Sequence, residues 1–337
     1  MSKKHRLTTE ELLALTREDG MLFHDAKGNP VELPQAGAPI ADTHGHLTHF
    51  RQYDPASALA RASLAGIGLL GVPVDPTDDG LDAPRLLSSL DGWVEDAETK
   101  VEELLAIGVT PAGGDARALL DAVHIWAGVH PYGAEEFEQS AEAHAALERL
   151  LASPRAVGIG EIGLDYGPYN ETDPEAQKRV FAWHLRFAHE LGLPVELHIR
   201  DAEGDEHAAA HVDAARILEE VGVPKAGCDL HCYTSNEQVM RPFVEMGCFV
   251  AFGGAATFAR SEDIRDAATT CPGHLILSET DSPYMTPVPL RGLECEPAMA
   301  AFTADLVARV REEAGVSARE QTYKALWDNA RRLFGLA

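Results

Sequence analysis

His44 and His46 close the short stretch Ile40-Ala-Asp-Thr-His-Gly-His46. Strand side chains alternate between faces, so a His-x-His pair points both imidazoles the same way and can grip one cation. Four later apolar stretches also close on residues of metal-ligand type. Gly158-Ile-Gly-Glu-Ile-Gly-Leu-Asp165 carries Glu161 in a Gly-rich run, and Leu197-His-Ile-Arg200 carries His198. Asp229-Leu-His231 supplies His231, and Ser278-Glu-Thr-Asp-Ser-Pro283 supplies Asp281. A buried acid or imidazole without a partner is costly, so five such strand ends want a common explanation. A metal centre provides one. Mixed imidazole and carboxylate donors suit Zn²⁺, Mn²⁺ or Fe²⁺, whereas Mg²⁺ prefers oxygen. A dication that acidifies bound water makes hydrolysis the expected chemistry.

The elements that must position these residues are short apolar runs alternating with helical patterns. Strands are expected near residues 39–43, 66–74, 123–129, 156–162, 194–198, 227–230, 248–252 and 274–278. They are apolar on both faces and bounded by Gly or Pro, as buried parallel strands are. Eight such runs with helices between them predict an α/β fold, a single (β/α)₈ TIM-type barrel, with the ligands converging on its C-terminal face. Helices are expected over 174–191, where Asn170, Thr172 or Asp173 would cap the start and Gly192 the end, and over 320–336. Residues 1–37 form an N-terminal extension, with a helix over 8–18 and a turn or hairpin at 25–28. The barrel occupies 38–337. An acidic segment, 75–100, elaborates the connection between strands 2 and 3.

The 337 residues include 28 basic and 54 acidic side chains, a net charge of −26. That field argues against a sequence-reading nucleic-acid binder, which needs a basic face. It leaves room for an enzyme whose cations hold one phosphate, because bound metals invert the local field. Five cysteines with no C-x-x-C pair indicate reduced, buried thiols. No apolar run is long enough to span a membrane. Residues 1–16 lack the apolar stretch of a signal peptide, so a cytoplasmic location is expected.

The order His-x-His, Glu, His, His, Asp resembles the TatD family of metal-dependent hydrolases, within the amidohydrolase-like barrels. The resemblance covers about residues 39–336. It rests on A-D-T-H-G-H-L at 41–47, G-V-H-P at 128–131, G-E-I-G-L-D-Y at 160–166, L-P-V-E-L-H-I-R-D-A at 193–202, D-L-H-C-Y at 229–233, L-I-L-S-E-T-D-S-P-Y at 275–284 and N-A-R-R-L-F-G at 329–335. It implies two divalent metal ions (Mg, Zn or Mn). His44, His46 and Asp281 would bind the first and His198 and His231 the second, with Glu161 bridging them. Asp281 would also take the proton from the attacking water, making Asp281 and Glu161 the catalytic pair. Arg200 could clamp a phosphate oxygen bidentately, and His130 could donate a hydrogen bond to substrate. Thr48 departs from the family's usual acid, Tyr132 and Tyr233 from its usual His and Phe, and Cys295 from its usual Asn.

His207 and His211 sit four apart but lack the glutamate of a zincin helix, and are read as an exposed helix rather than a metal site. His184 and His189 are read as surface or packing residues. Glu279 is placed on the strand face opposite the ligands, supporting the loop.

The resemblance implies a deoxyribonuclease or exonuclease that acts on DNA, or another phosphodiester, without sequence specificity. It needs neither a membrane nor an obligate protein partner. The alternatives are hydrolysis of a carboxylic ester, amide or lactone, aminoacyl esters included, and a metal-bound scaffold without turnover. A phosphotriesterase-like centre is disfavoured, because there a modified lysine stands where Glu161 stands here.

Overall fold

In the computed structural model, residues 7–113 and 115–336 are described. Residues 1–6, Gly114 and Ala337 lie outside them, as do the corresponding parts of the expected extension and barrel. Eight parallel strands follow one another in sheet order as in sequence. They are β1 (Ile40–Asp42), β2 (Ile67–Val74), β3 (Val123–Ala127), β4 (Ala156–Asp165), β5 (Val195–Arg200), β6 (Cys228–Leu230), β7 (Phe249–Phe252) and β8 (Ile276–Ser278).

The barrel closes where β8 meets β1. Thr43 N donates to Ser278 O at 3.2 Å, and Ser278 Oγ to Ala41 O at 3.1 Å. Beyond the strand ends, Asp281 N donates to His44 O at 2.9 Å and His46 N to Ser282 O at 2.8 Å. The buried Asp42 carboxylate accepts from Thr280 N at 2.8 Å and Thr280 Oγ1 at 2.7 Å. The same contacts that shut the barrel therefore set the His44–His46 segment against the Asp281 loop.

Helices cover the outside and bury their apolar stripes against the strands. The helix Pro174–Leu191 starts at an Asp173 cap, ends at Gly192 with φ +68°, and buries Val180, Phe181, Leu185 and Ala188. Arg319–Leu333 turns Tyr323, Leu326, Ala330 and Leu333 inward. The elaborated connection after β2 is an acidic loop followed by the long helix Ala83–Ala106, capped by Asp82. None of the described helices is long and apolar enough to cross a membrane.

Ahead of β1, the helix Thr9–Asp19 opens with a reciprocal Thr8–Glu11 capping box, and Phe23–His24 pairs antiparallel with Pro30–Val31. Phe23 is buried edge-on against Phe302 at 5.1 Å, with the Arg61 guanidinium over its ring at 5.3 Å. Arg61 in turn forms a buried ion pair with Glu296 at 2.7 Å. The segment thus packs on the helices Pro55–Leu64 and Ala300–Glu313 through Phe23, and its turn reaches the loop after β8, where Ala26 lies beside Gly292.

Candidate metal centre

Glu161 stands between two pairs of imidazoles. On one side, His44 Nε2 and His46 Nε2 approach to 3.2 Å, and His46 Nε2 lies 3.6 Å from Glu161 Oε1. Asp281 Oδ1 is 3.9 Å from each of those two nitrogens. On the other side, His198 Nδ1 and His231 Nε2 lie 3.2 Å apart, at 3.3 and 3.0 Å from Glu161 Oε2. Donors held at about 2.0–2.1 Å from one tetrahedral zinc are separated by about 3.3 Å, so both nitrogen pairs already have the spacing of one cation's ligands.

Beneath these donors lies a layer of acids. Asp42, Glu196, Asp229 and Glu279 are fully buried, each two residues before a candidate ligand: His44, His198, His231 and Asp281. Glu196 Oε2 is 3.0 Å from His44 Nδ1, in an approach too bent for a hydrogen bond. Glu279 Oε1 accepts from Cys232 N at 2.5 Å and lies 3.8 Å from His231 Nδ1. Gly160 makes room for Glu196, since a Cβ there would stand 2.7 Å from the Glu196 Cβ. Both oxygens of Glu196 and of Asp229, with Glu279 Oε2, lack hydrogen-bond partners. Burial raises Asp42 to about 8 and pushes Glu196, Asp229 and Glu279 well above the ordinary carboxylate range. Orphaned, desolvated acids beneath converging imidazoles fit a centre meant to be neutralised by cations.

The two upper carboxylates differ. Burial would raise Glu161, but the surrounding imidazoles, with hydrogen bonds from His198 and His231, hold it well below the ordinary range. Burial lifts Asp281, with His44 and His231 opposing. His198 is opposed by burial, yet its bonds to Asp165 and Glu161 raise it to about 9. A cation at Nδ1 must therefore displace a proton. His130, Asp165 and His198 also lie close enough to suggest a third cation group. Asp165 Oδ2, however, sits 3.1 Å from His198 Nε2, the nitrogen that carries the proton once Nδ1 coordinates. Asp165 is better explained as the acceptor that orients the His198 ring.

The chain closes this arrangement on itself at the level of sequence too: the profile described as "TatD related DNase" matches residues 41–335. The chain belongs to the TatD family. It is 35% identical over 261 residues to the metal-dependent hydrolase YcfH of Escherichia coli K12, covering 76% of this chain and 92% of that one. It is 33% identical over 220 residues to the 3'-5' ssDNA/RNA exonuclease TatD of Citrobacter rodentium, covering 63% and 78%. The crystal structure of YjjV, a TatD homologue from Escherichia coli, superposes with a TM-score of 0.66 at 24% identity, covering 88% of this chain and 98% of the other. A TatD family hydrolase from Entamoeba histolytica gives 0.65 at 16% identity, covering 90% and 100%. These relatives make this TatD protein a metal-dependent hydrolase of ester bonds.

All six residues read as ligands in the TatD motifs converge on this centre. His130 lies beside it, its ring 4.3 Å from that of His198. Its Nδ1 accepts from Tyr132 N at 3.2 Å, which leaves Nε2 as the protonated donor. Burial and His198 depress it to about 3, so it stays neutral. Arg200 ends β5 with its guanidinium over the Tyr169 ring at 5.6 Å.

Two expectations need correction. Glu279 does not lie on the opposite face but is buried behind His231, 3.8 Å from its Nδ1, since it stands two residues before Asp281 and so shares the inward side. His211 is not exposed: it is buried, 2.6 Å from Asp201 Oδ2, while exposed His207 precedes the helix Ala209–Val221. His184 packs in the core and His189 bonds Gly222 O at 2.9 Å.

Sequence reasoning missed the acid layer and Asp165. The signal was available as Asp42-x-His44, Glu196-x-His198 and Asp229-x-His231, since residues two apart share the inward face. It also missed Glu294, which takes hydrogen bonds from the backbone N–H groups of Arg51, Gln52 and Tyr53 at 2.9–3.0 Å and ties down the loop after His46. No acid stands at Thr48, but the loop after β2 brings Asp78 within 3.2 Å of His49, which stacks on His46 at 4.4 Å.

Glu196→Gln keeps the volume under His44 and removes its charge. Carboxylates behind a ligating histidine are typically worth about 10–100-fold in metal affinity, so Mn²⁺ titration calorimetry should show binding weakened by about tenfold. Unchanged affinity would mean that Glu196 only fills the barrel.

Proposed function

We propose that this TatD-family hydrolase holds two divalent cations and removes nucleotides from the ends of single-stranded DNA or RNA, without sequence specificity. The observation that carries this reading is Glu161 placed between two imidazole pairs at 3.0–3.6 Å. His44, His46 and Asp281 would hold the first ion and His198 and His231 the second, with Glu161 available to both. The donor set takes Zn²⁺ or Mn²⁺ readily and Mg²⁺ through its carboxylates. Bound there, the pair supplies an acidified water and charge on both the attacking and leaving oxygens of a phosphodiester.

The chain's own groups do the rest. Asp281, at the edge of the first ligand pair, accepts the proton of the attacking water at a carboxylate oxygen. His130, neutral with Nε2–H free, donates to a non-bridging phosphate oxygen. Arg200 forms no ion pair within 4 Å of a carboxylate among the described residues, though its charge also reaches Asp165, and can clamp a second oxygen with parallel N–H groups. The relative from Citrobacter rodentium, named a 3'-5' ssDNA/RNA exonuclease, supports the substrate class. The reduced thiols inferred for the five cysteines support the cytoplasm as the place of action.

A second reading, hydrolysis of an uncharged carboxylic ester, amide or lactone, is favoured by one observation: Asp78 stands 69% exposed beside His49 at the mouth of a chain of net charge −26. The test is a panel of end-labelled single strands, duplex DNA, p-nitrophenyl acetate and a lactone, each with Mg²⁺, Mn²⁺ or Zn²⁺ and with chelator. Stepwise, chelator-sensitive shortening of the single strands is expected. Turnover of the carboxyl esters with every oligonucleotide left intact would overturn the nuclease reading.

A further inference from the structure

The exposed large aromatic residues among those described are Tyr132, Tyr169 and Tyr284, and all three follow barrel strands at the mouth that holds the metal centre. Tyr169 is the most open, at 77% exposure. Its loop is nonetheless pinned. Asn170 Nδ2 donates to Asp165 O at 2.8 Å, Gln177 Nε2 to Thr172 O at 3.0 Å, and Thr172 Oγ1 to Tyr132 O at 3.0 Å. The Arg200 side chain crosses Gly167 so closely that a Cβ there would stand 2.9 Å from Nε, and its guanidinium lies 5.6 Å from the Tyr169 ring centroid. Tyr132 stands edge-on to His130 at 4.5 Å, and His130 leads to His198. The Tyr169 ring thus lies against a guanidinium whose charge also reaches Asp165, and presents the rest of its surface to solvent, on a loop tied through Thr172 to the Tyr132 segment.

An exposed aromatic surface at a charged mouth suits a planar, desolvatable occupant. The molecule's own charge sharpens the requirement, because a chain of −26 gains little from tracking a phosphate backbone. Base stacking supplies affinity without charge, and only unpaired bases offer their faces to a protein ring. We propose that Tyr169, held by Arg200, is a stacking platform for the nucleobase next to the cleaved phosphate, so that single-strand preference comes from the ring and not from a basic groove. The proposal rests on the nuclease reading above and extends it to the residue that selects the substrate's form.

The test compares the wild-type chain, Tyr169→Ala and Tyr169→Trp on a single-stranded 12-mer and on the same 12-mer with abasic sites at its two terminal positions. Stacking of one base is expected to make Tyr169→Ala raise KM on the intact strand about tenfold. Tyr169→Trp should restore KM, and the abasic strand should be cleaved alike by all three. Anisotropy with a labelled 12-mer in chelator should show the same weakening without turnover. With one or two phosphates neutralised, log KM should rise with log salt at a slope of about 0.7–1.4. An unchanged KM in Tyr169→Ala, an equal loss on the abasic strand, or a slope of about 3 or more would overturn the platform. Failure of the nuclease reading looks different: the wild-type chain itself would leave every oligonucleotide intact, and the platform would fall with it.

Discussion

Replacing Glu161 with alanine is expected to remove about a thousandfold or more of the metal-dependent rate, since losing cation stabilisation worth several kcal/mol costs tenfold per 1.36 kcal/mol. Among the described residues no other carboxylate faces both imidazole pairs: Oε1 looks to His46, and Oε2 to His198 and His231. Without it, four imidazoles remain with Asp165 behind His198, Glu196 behind His44, Glu279 behind His231 and Asp281 on one side only, none of them between the two pairs. The variant should therefore lose bound metal as well as rate. Thermal unfolding in chelator separates this from a folding defect: a metal-free variant that melts as a cooperative unit, even at a lowered midpoint, leaves lost metal as the cause of lost rate. Full activity in Glu161→Ala would place the chemistry elsewhere.

Asp281→Asn should behave differently. The amide keeps the shape of the side chain and one oxygen near His44 and His46, so metal content should largely survive. What disappears is the group that accepts the water's proton, and general-base removal typically costs about 10²–10⁴-fold. The fall should lie in kcat, with KM little changed, since a transition-state contact and not ground-state binding is lost. Metal analysis on the same preparation decides the matter: lost rate with lost metal would make Asp281 a ligand only, whereas lost rate with retained metal makes it the base as well.

The six candidate ligands were legible because each lies in or just after an apolar run, where a polar side chain stands out against Val, Ile and Leu. Eight such runs also disclosed the barrel. The acids beneath were less visible. Glu196 and Asp229 lie inside their strands, and a single charged residue there reads as an interruption until its spacing from the following histidine is considered. Asp42 acts through Thr280, 238 residues away, a contact that no local pattern contains. Glu279 was misplaced because it was set against Asp281, although two-residue alternation puts both on the inward side, where Glu279 is buried behind His231. Asp78 and Tyr169 sit on loops without period, so only folding brings them to the mouth. Burial of His211 depends on its pairing with Asp201, which helical spacing alone does not reveal.

Anomalous diffraction from crystals grown with Mn²⁺ tests the two-cation centre most directly. Two peaks are predicted, one among His44, His46 and Asp281 and the other between His198 and His231, each within bonding distance of a Glu161 oxygen. A single peak held away from Glu161, or none at the strand ends, would contradict the account.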